Sequence, residues 1–468
     1  MREGVWALIR RLLVANRGEI AVRVIRAARE LGITTVAVYS EADAGSMPVR
    51  LADEAVAIGP ASARQSYLSL PAIMNAAIQA SVDALHPGYG FLSENPNLPS
   101  LCELWGITFV GPSADAIRRM GEKAAARETA RAVGCPVIPG SEGALASTDE
   151  ARALAERVGL PVLVKASAGG GGRGIRVVRD LGELDEAIER AAREAQASFG
   201  SGNLYMERFL DRPRHIEIQV LADRHGHVAA LGERESSLQR RRQKLLEEAP
   251  AVPLDTALRR RMEEAAVAVA RAVDYVGAGT VEFLLDRDGS FYFIEMNTRV
   301  QVEHPCTELV TGIDIVKEQL RVAAGDPLSF DPEGVQMRGW AIECRINAED
   351  PARDFRPSPG AITRFDVPAG PGVRVDQGVQ AGDSVSPFYD SLLAKVIVHG
   401  RDRAEALSRM RRALAEFRVE GVETTIGLHE RILADPAFVA GEVDIEFLED
   451  VVAGRPRAVR AGGAAADA

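Results

Sequence analysis

Val281-Glu282-Phe283-Leu284-Leu285-Asp286-Arg287-Asp288-Gly289-Ser290-Phe291-Tyr292-Phe293-Ile294-Glu295-Met296-Asn297, within a run that begins at Gly277, reads as strand, turn and strand. Asp288-Gly289 is a favoured two-residue hairpin loop, because such turns need positive φ at their central positions. With that loop, Glu282 lies directly opposite Glu295. A three-residue loop shifts the register by one and still leaves the two acids close. Carboxylates facing each other across a ladder repel, unless a cation sits between them. Asn297, two residues beyond Glu295, falls on the same face and adds an amide oxygen. Two carboxylates and an amide, with no His or Cys beside them, make a donor set for a hard cation, and phosphate-bound Mg²⁺ fits it best. The residues alone are also compatible with two solvent-exposed acids on an antiparallel sheet.

The same period continues downstream. Arg299, Gln301 and Glu303 alternate with Thr298, Val300 and Val302, which predicts a strand with a guanidinium, an amide and a carboxylate along one face. A guanidinium fork recognises a planar oxyanion, and a carboxylate within reach of that oxyanion can act as general base. His304-Pro305 ends the run. Alternation of this kind also describes a half-exposed strand, but beside a cation site it reads as a substrate floor.

Upstream, Ala166-Ser167-Ala168-Gly169-Gly170-Gly171-Gly172-Arg173-Gly174 lies between two strand-like runs, Val162–Lys165 and Ile175–Val178, and so forms a hairpin loop. Four consecutive glycines free the backbone N–H groups to approach phosphate oxygens and give the mobility of a lid. A P-loop is excluded, since Gly-Lys-Ser/Thr before a helix is absent. A flexible linker is the alternative, though linkers rarely join strands of matched length.

Toward the N-terminus, Leu12–Ala15 is a short apolar strand and Asn16-Arg17-Gly18 a turn. Ile20, Val24, Ala27 and Leu31 then recur at helical spacing, and Thr35–Tyr39 is strand-like, so the segment predicts a βαβ unit on a parallel sheet. Pro71–Ala80 reads as a helix and Val82–Leu85 as a strand. His86-Pro87-Gly88-Tyr89-Gly90 is a tight loop at that strand's C-terminal end, where open α/β sheets carry ligand groups. GxGxxG is missing after the first strand, which argues against a dinucleotide fold despite Glu41 and Asp43. Asp115–Ala132 is a helix-rich connector. An α+β segment follows from about Cys135 to Phe209, with helices Asp149–Val158 and Leu184–Ala197 and strand Leu204–Phe209. A strand-rich region runs to about Leu448, and Gly454–Ala468 is expected to be disordered.

A length of 468 residues suggests about three domains. Net charge is −11, which argues against a broadly basic nucleic-acid surface. No apolar run reaches the roughly 18 residues of a membrane span. Cys102, Cys135, Cys306 and Cys344 are far apart, so neither zinc nor a disulfide framework is indicated, and a cytoplasmic location is expected. The chain has 51 Arg and only five Lys: Lys123, Lys165, Lys244, Lys317 and Lys395.

Several collinear motifs carry a resemblance. They are Ala15-Asn16-Arg17-Gly18-Glu19-Ile20, His86 through Asn95, Lys165 with the glycine loop, Phe293 through His304, and Glu343-Cys344-Arg345-Ile346-Asn347-Ala348-Glu349-Asp350. On these the chain, from about Leu12 to Leu448, resembles biotin carboxylase, the ATP-grasp component of biotin-dependent carboxylases. The resemblance implies an α/β and α+β multidomain fold. Residues 1–115 would form a parallel-sheet pre-ATP-grasp domain, 116–325 an ATP-grasp region with a mobile lid at about 135–209, and 326–452 a strand-rich C-terminal biotin carboxylase domain, before a disordered tail at 453–468.

The resemblance also implies an ATP-dependent ligase and roles for its residues. Lys123 and Lys165 would hold ATP phosphates under Gly171 and Gly172. Glu207, Arg208, Phe209 and Leu210 would read adenine, with His215 and Arg242 on the nucleotide side. Glu282, Glu295 and Asn297 would carry Mg²⁺ or Mn²⁺, two ions in all. Lys244, Arg299, Gln301 and Val302 would bind bicarbonate, Glu303 would take its proton, Arg345 would stabilise the biotin enolate, and Tyr89 would lie beside the biotin ring.

Two departures stand out: Arg242 where the family commonly has His, and Ser236 where it often has Cys. Met1–Arg11 is longer than the match. No Met-Lys-Met tripeptide is present, so biotin is expected on a separate carrier protein, with carboxyltransferase subunits as further partners and a homodimer as the assembly. No nucleic acid or membrane partner is expected. The pathway implied is fatty acid biosynthesis. The rival readings are an ATP-grasp ligase acting on another carboxylate and a non-catalytic ATP-binding subunit.

Overall fold

Arg11–Val14 (β1) starts a parallel sheet that Thr34–Ser40 (β2), Glu54–Gly59 (β3), Ala84–His86 (β4) and Thr108–Phe109 (β5) complete. The computed structural model describes residues 9–141, 143–166, 175–199, 202–252, 254–455 and 457. Strand order β3-β2-β1-β4-β5 puts a topological switch between β1 and β4, where ligands of open α/β sheets bind. The loops Asn16–Gly18 and His86–Gly90 leave the C-terminal ends of these two strands. Asn16 Nδ2 clamps them together by donating to the carbonyls of Pro87 and Tyr89, each at 2.7 Å. The helix Gly18–Glu30 buries Ile20, Val24, Ile25, Ala27 and Ala28 against the sheet, the apolar stripe that its sequence spacing predicted.

The fold divides into two compact units. One comprises Pro136–Pro213 and Leu285–Phe293. It holds a three-stranded antiparallel sheet of Val162–Ala166 (β6), Ile175–Val178 (β7) and Leu204–Arg208 (β8), in the order β7-β6-β8. Helices Thr148–Val158 and Leu184–Phe199 bury Ala151, Leu154, Leu184, Ala191 and Ala195 with Val162, Val164 and Met206 of that sheet.

The other unit takes the chain up to Cys135, Arg214–Leu284 and everything from Ile294. Its main sheet has eight strands. Arg214–Ala222 (β9), Val228–Arg240 (β10), Gln243–Ala249 (β11), Gly277–Leu285 (β12), Phe291–Asn297 (β13) and Trp340–Asn347 (β14) run in the order β13-β12-β9-β10-β11-β14, followed by Leu392–Gly400 and Val373–Gln377. One apolar cluster joins Leu12, Val14 and Val24 to Leu221, Leu231, Ala278 and Leu328, so the sequence stretches 1–115 and 116–325 share a core.

Several expectations are corrected. The β12–β13 hairpin closes with Asp286 N donating to Ser290 O at 2.8 Å and Gly289 N to Asp286 O at 3.1 Å, so three residues form the loop, not Asp288-Gly289 alone. Gly289 takes the left-handed conformation this loop needs, at φ +81°. Asp115–Ala132 is two helices, Ala114–Gly121 and Lys123–Ala132, broken at Glu122, which is extended. The region expected to be strand-rich also contains helices Thr256–Arg271, His304–Thr311, Ile315–Ala324, Arg403–Glu416 and Ile426–Ala434. Order persists past the expected start of the tail: Arg455 pairs with Asp450, and Arg457 with Asp444 and Asp450. Residues 456 and 458–468 lie outside the described residues, as do Met1–Leu8 of the N-terminal extension.

Candidate active site

β13 ends at Asn297, and residues 298–303 leave the sheet as a loop. Arg299, Gln301 and Glu303 therefore do not form the predicted strand face. Their side chains converge by other means. Glu303 stands at the N-cap of helix His304–Thr311 and is almost fully buried. Lys244 of β11 donates to Glu303 Oε1 at 2.7 Å, and Arg345 of β14 donates from Nη2 to Glu303 Oε2 at 3.0 Å. Burial alone would protonate Glu303, but Lys244, Arg345 and Arg234 outweigh it and hold the carboxyl well below its usual range. The group is thus held as an anion, within reach of whatever the two cations bind.

Lys244 also donates to Glu282 at 2.9 Å and to Glu217, which spends all three of its N–H donors on carboxylates. Burial opposes its charge, and the three acids overcome that and raise its pKa. Arg345 donates from the same Nη2 to Glu247. Its Nε is buried and donates to nothing in the described structure, which leaves that N–H for an entering oxyanion. Glu247 faces Glu343 directly across the ladder. Burial pushes Glu247 up to about 7, with Glu303 adding to the rise and Arg345 opposing it. Burial pushes Glu343 well above the carboxylate range, so this pair does not carry two charges.

After the register correction Glu282 still contacts Asn297 and interacts with Glu295. Glu282 Oε1 accepts from Asn297 Nδ2 at 2.9 Å and from Gln301 Nε2 at 2.8 Å, and His215 Nε2 lies 2.9 Å from Oε2. Glu295 is raised by burial and by Glu282, and Lys123 offsets this only in part. A second carboxylate held so near the first is short of positive charge, and a divalent cation with oxygen ligands fits that deficit. His215, Glu217 and Glu282 also bring ligand atoms within 4.8 Å of one another.

Arg299 donates to Glu94 at 3.0 Å and to Asn297 Oδ1 at 2.8 Å. Glu94 belongs to the His86–Asn95 motif, yet no role was expected of it. Glu217, Arg234 and Glu247 were missed outright. Arg234 is fully buried and spends its donors on Glu217, Gln219, Thr280, Gln301 and Thr307. The signal for Glu217 was present in His215-Ile216-Glu217-Ile218-Gln219, a polar face alternating with an apolar one.

Tyr89 donates its hydroxyl to Glu19, which is buried on helix Gly18–Glu30. Val302 is tied through its carbonyl, which accepts from Lys395 Nζ at 2.8 Å. Arg242 is exposed on the β10–β11 turn at φ +70°, and Ser236 is buried with its hydroxyl unpartnered. Within the smaller unit, Lys165 pairs with Glu207, so an expected phosphate lysine and an expected adenine contact engage each other. Arg208 donates to Asp286 at 3.1 Å, the Phe209 amide to the Pro161 carbonyl at 2.9 Å, and Leu210 is buried. Gly171 and Gly172 lie outside the described residues.

Comparison with known proteins fits these motifs. Three family models match in sequence: the biotin carboxylase N-terminal domain over residues 8–117, the ATP-binding domain of the carbamoyl-phosphate synthase L chain over 122–330, and the biotin carboxylase C-terminal domain over 343–450. Biotin carboxylase 1 of Bacillus subtilis is 54% identical over 443 residues, 94% of this chain and 98% of that one. The chain belongs to the biotin carboxylase family. Membership makes it an ATP-grasp enzyme of the ligase class. Among solved structures, a biotin carboxylase complex from Campylobacter jejuni is 46% identical, with TM-score 0.86 over 94% of this chain and 98% of that chain. The biotin carboxylase domain dimer of Hydrogenobacter thermophilus 2-oxoglutarate carboxylase, in complex with MgADP, ADP and bicarbonate, is 47% identical, with TM-score 0.85 over 95% and 98%. Among the described residues no helix is long and apolar enough to cross a membrane.

Proposed function

We propose that this biotin carboxylase acts on biotin linked to a separate carrier protein, as the first half-reaction of an acyl-CoA carboxylase such as acetyl-CoA carboxylase. The carrying observation is an ionised Glu303 held between Lys244 and Arg345, whose Nε remains free. Bicarbonate gives its proton to Glu303 and is held by Lys244 and Arg299, with Gln301 and Val302 lining the site. The deprotonated oxygen attacks the γ-phosphorus of ATP, ADP leaves, and carboxyphosphate forms. A divalent cation on Glu282, Glu295 and Asn297 supplies charge neutralisation at the phosphates. Carboxyphosphate separates into CO2 and phosphate, and the phosphate takes the N1′ proton of biotin. The resulting enolate oxygen meets Arg345 Nε, and N1′ then attacks CO2.

Lys123, Lys165 and the loop with Gly171 and Gly172 serve the phosphates in this reading. Glu207–Leu210, His215 and Arg242 serve the nucleotide, and Tyr89 borders biotin. The three-domain division, a homodimer, a carboxyltransferase partner and a cytoplasmic location belong to the same proposal. With ATP, Mg²⁺, bicarbonate and free biotin, ADP release is expected only when both bicarbonate and biotin are present. Equal release without biotin defeats the proposal. Glu303→Gln and Arg345→Ala are expected to lower coupled turnover about a hundredfold or more while ATP still binds.

A further inference from the structure

Lys395 is one of only five lysines and has no part in the chemistry above, yet it is fully buried. Its ammonium donates to the Val302 carbonyl at 2.8 Å and lies 3.1 Å from Glu19 Oε1 and 4.0 Å from Asp376 Oδ2. Val302 is the residue before Glu303. Glu19 accepts the hydroxyl of Tyr89. Across the ladder, Lys395 directly faces Arg345. One cation therefore touches the loop that carries the base, the acid that holds the biotin-side tyrosine, and the strand that carries the enolate-binding arginine.

We propose that Lys395 is a positioning residue that joins the base-bearing loop 298–303 to the biotin-side loop 86–90, so that biotin seated against Tyr89 sets the placement of Glu303. The inference rests on the biotin carboxylase reading above. Its physical basis is that a buried ammonium cannot leave its partners unpaired without a large desolvation penalty. A displacement of Tyr89 moves Glu19, and Lys395 must follow Glu19 or lose it. Lys395 also holds the carbonyl next to the base, so the shift reaches Glu303 through one covalent neighbour. Glu19 Oε2 is buried without a partner. Among the described residues its carboxylate bonds to Tyr89 on one side and to Lys395 on the other, with Asp376 nearby. A plain core ion pair would hold the fold together equally well but would transmit nothing.

The test measures ATP binding, and ATP hydrolysis with and without free biotin, in wild type, Lys395→Met, Glu19→Gln and the double variant. The double variant removes both charges together, which avoids stranding a buried ion. Biotin-dependent hydrolysis is expected to fall about tenfold in each variant, while ATP binding without biotin stays near the wild-type level. A folded variant that keeps wild-type stimulation overturns the inference alone. No stimulation in wild type overturns the carboxylase reading and this inference with it. A readout that needs no substitution is hydrogen exchange of the peptide spanning 298–303 in wild type. Biotin is expected to slow it, and unchanged exchange at saturating biotin overturns the inference.

Discussion

Lys244 shows why one cation does not replace another at this site. Its compact ammonium reaches Glu217, Glu282 and Glu303 from one point, whereas a guanidinium spreads its donors over a wider plane. Lys244→Arg keeps the charge and displaces the carboxylates, Glu303 included. Turnover is expected to fall about a hundredfold with little change in melting temperature. Steady-state kinetics beside a thermal melt checks this. In a chain with 51 Arg and five Lys, the family resemblance implies roles for Lys123, Lys165 and Lys244. It gave no hint that Lys395 sits fully buried beside the same loop. Composition shows that a residue type is held, and only the finished sheet shows what it is held against.

Among elements, the loop after β4 ties local conformation to function. Gly88 has φ +62°, and a Cβ there would lie 2.9 Å from Asn16 Nδ2, the atom that clamps Pro87 and Tyr89. Gly90 has φ +67° but open space around it. Gly88→Ala is expected to cost about 1–3 kcal/mol and to weaken biotin binding, whereas Gly90→Ala meets the backbone penalty alone, about 1 kcal/mol. Denaturant melts and the biotin KM of both variants give the comparison. The sequence showed this loop, the βαβ unit and the acid-bearing hairpin because each is a local pattern of turn residues and periodicity. It misled at 298–303, where alternation continued while the backbone had left the sheet. Arg299 there turns back onto Asn297 and the Val300 carbonyl. Glu217, Arg234 and Glu247 stayed hidden because their partners lie on strands remote in sequence, and pairing between strands is not a local property.

For the whole molecule, the interior around the site is unusually ionic, and burial acts on its histidines in opposition to nearby charge: Glu282 raises His215, whereas His86 and His429 are lowered. Burial pushes both His86 and His429 down to about 4, and the hydrogen bonds to Gln319 and to the Arg345 carbonyl only partly offset this. The unfolded chain binds these protons near pH 6.5, so between about 4 and 6.5 it holds more protons than the native state. The contribution of these two histidines is therefore full above pH 6.5 and is lost as pH falls toward 4, by about 3 kcal/mol for each. In His429→Gln the loss between pH 7 and pH 4.5 is expected to shrink by about half of the combined histidine effect. Denaturant midpoints of wild type and variant at the two pH values measure it.

The contact between Glu19 and Lys395 has a consequence for how the molecule is made. During synthesis Glu19 emerges well before its counter-ion Lys395, which lies on a strand much later in the chain. Until the strand Leu392–Gly400 docks, nothing fixes the carbonyl beside Glu303. A nascent chain can fold its parallel sheet early, but the Lys395 link between Glu19 and the Val302 carbonyl forms only when that strand docks.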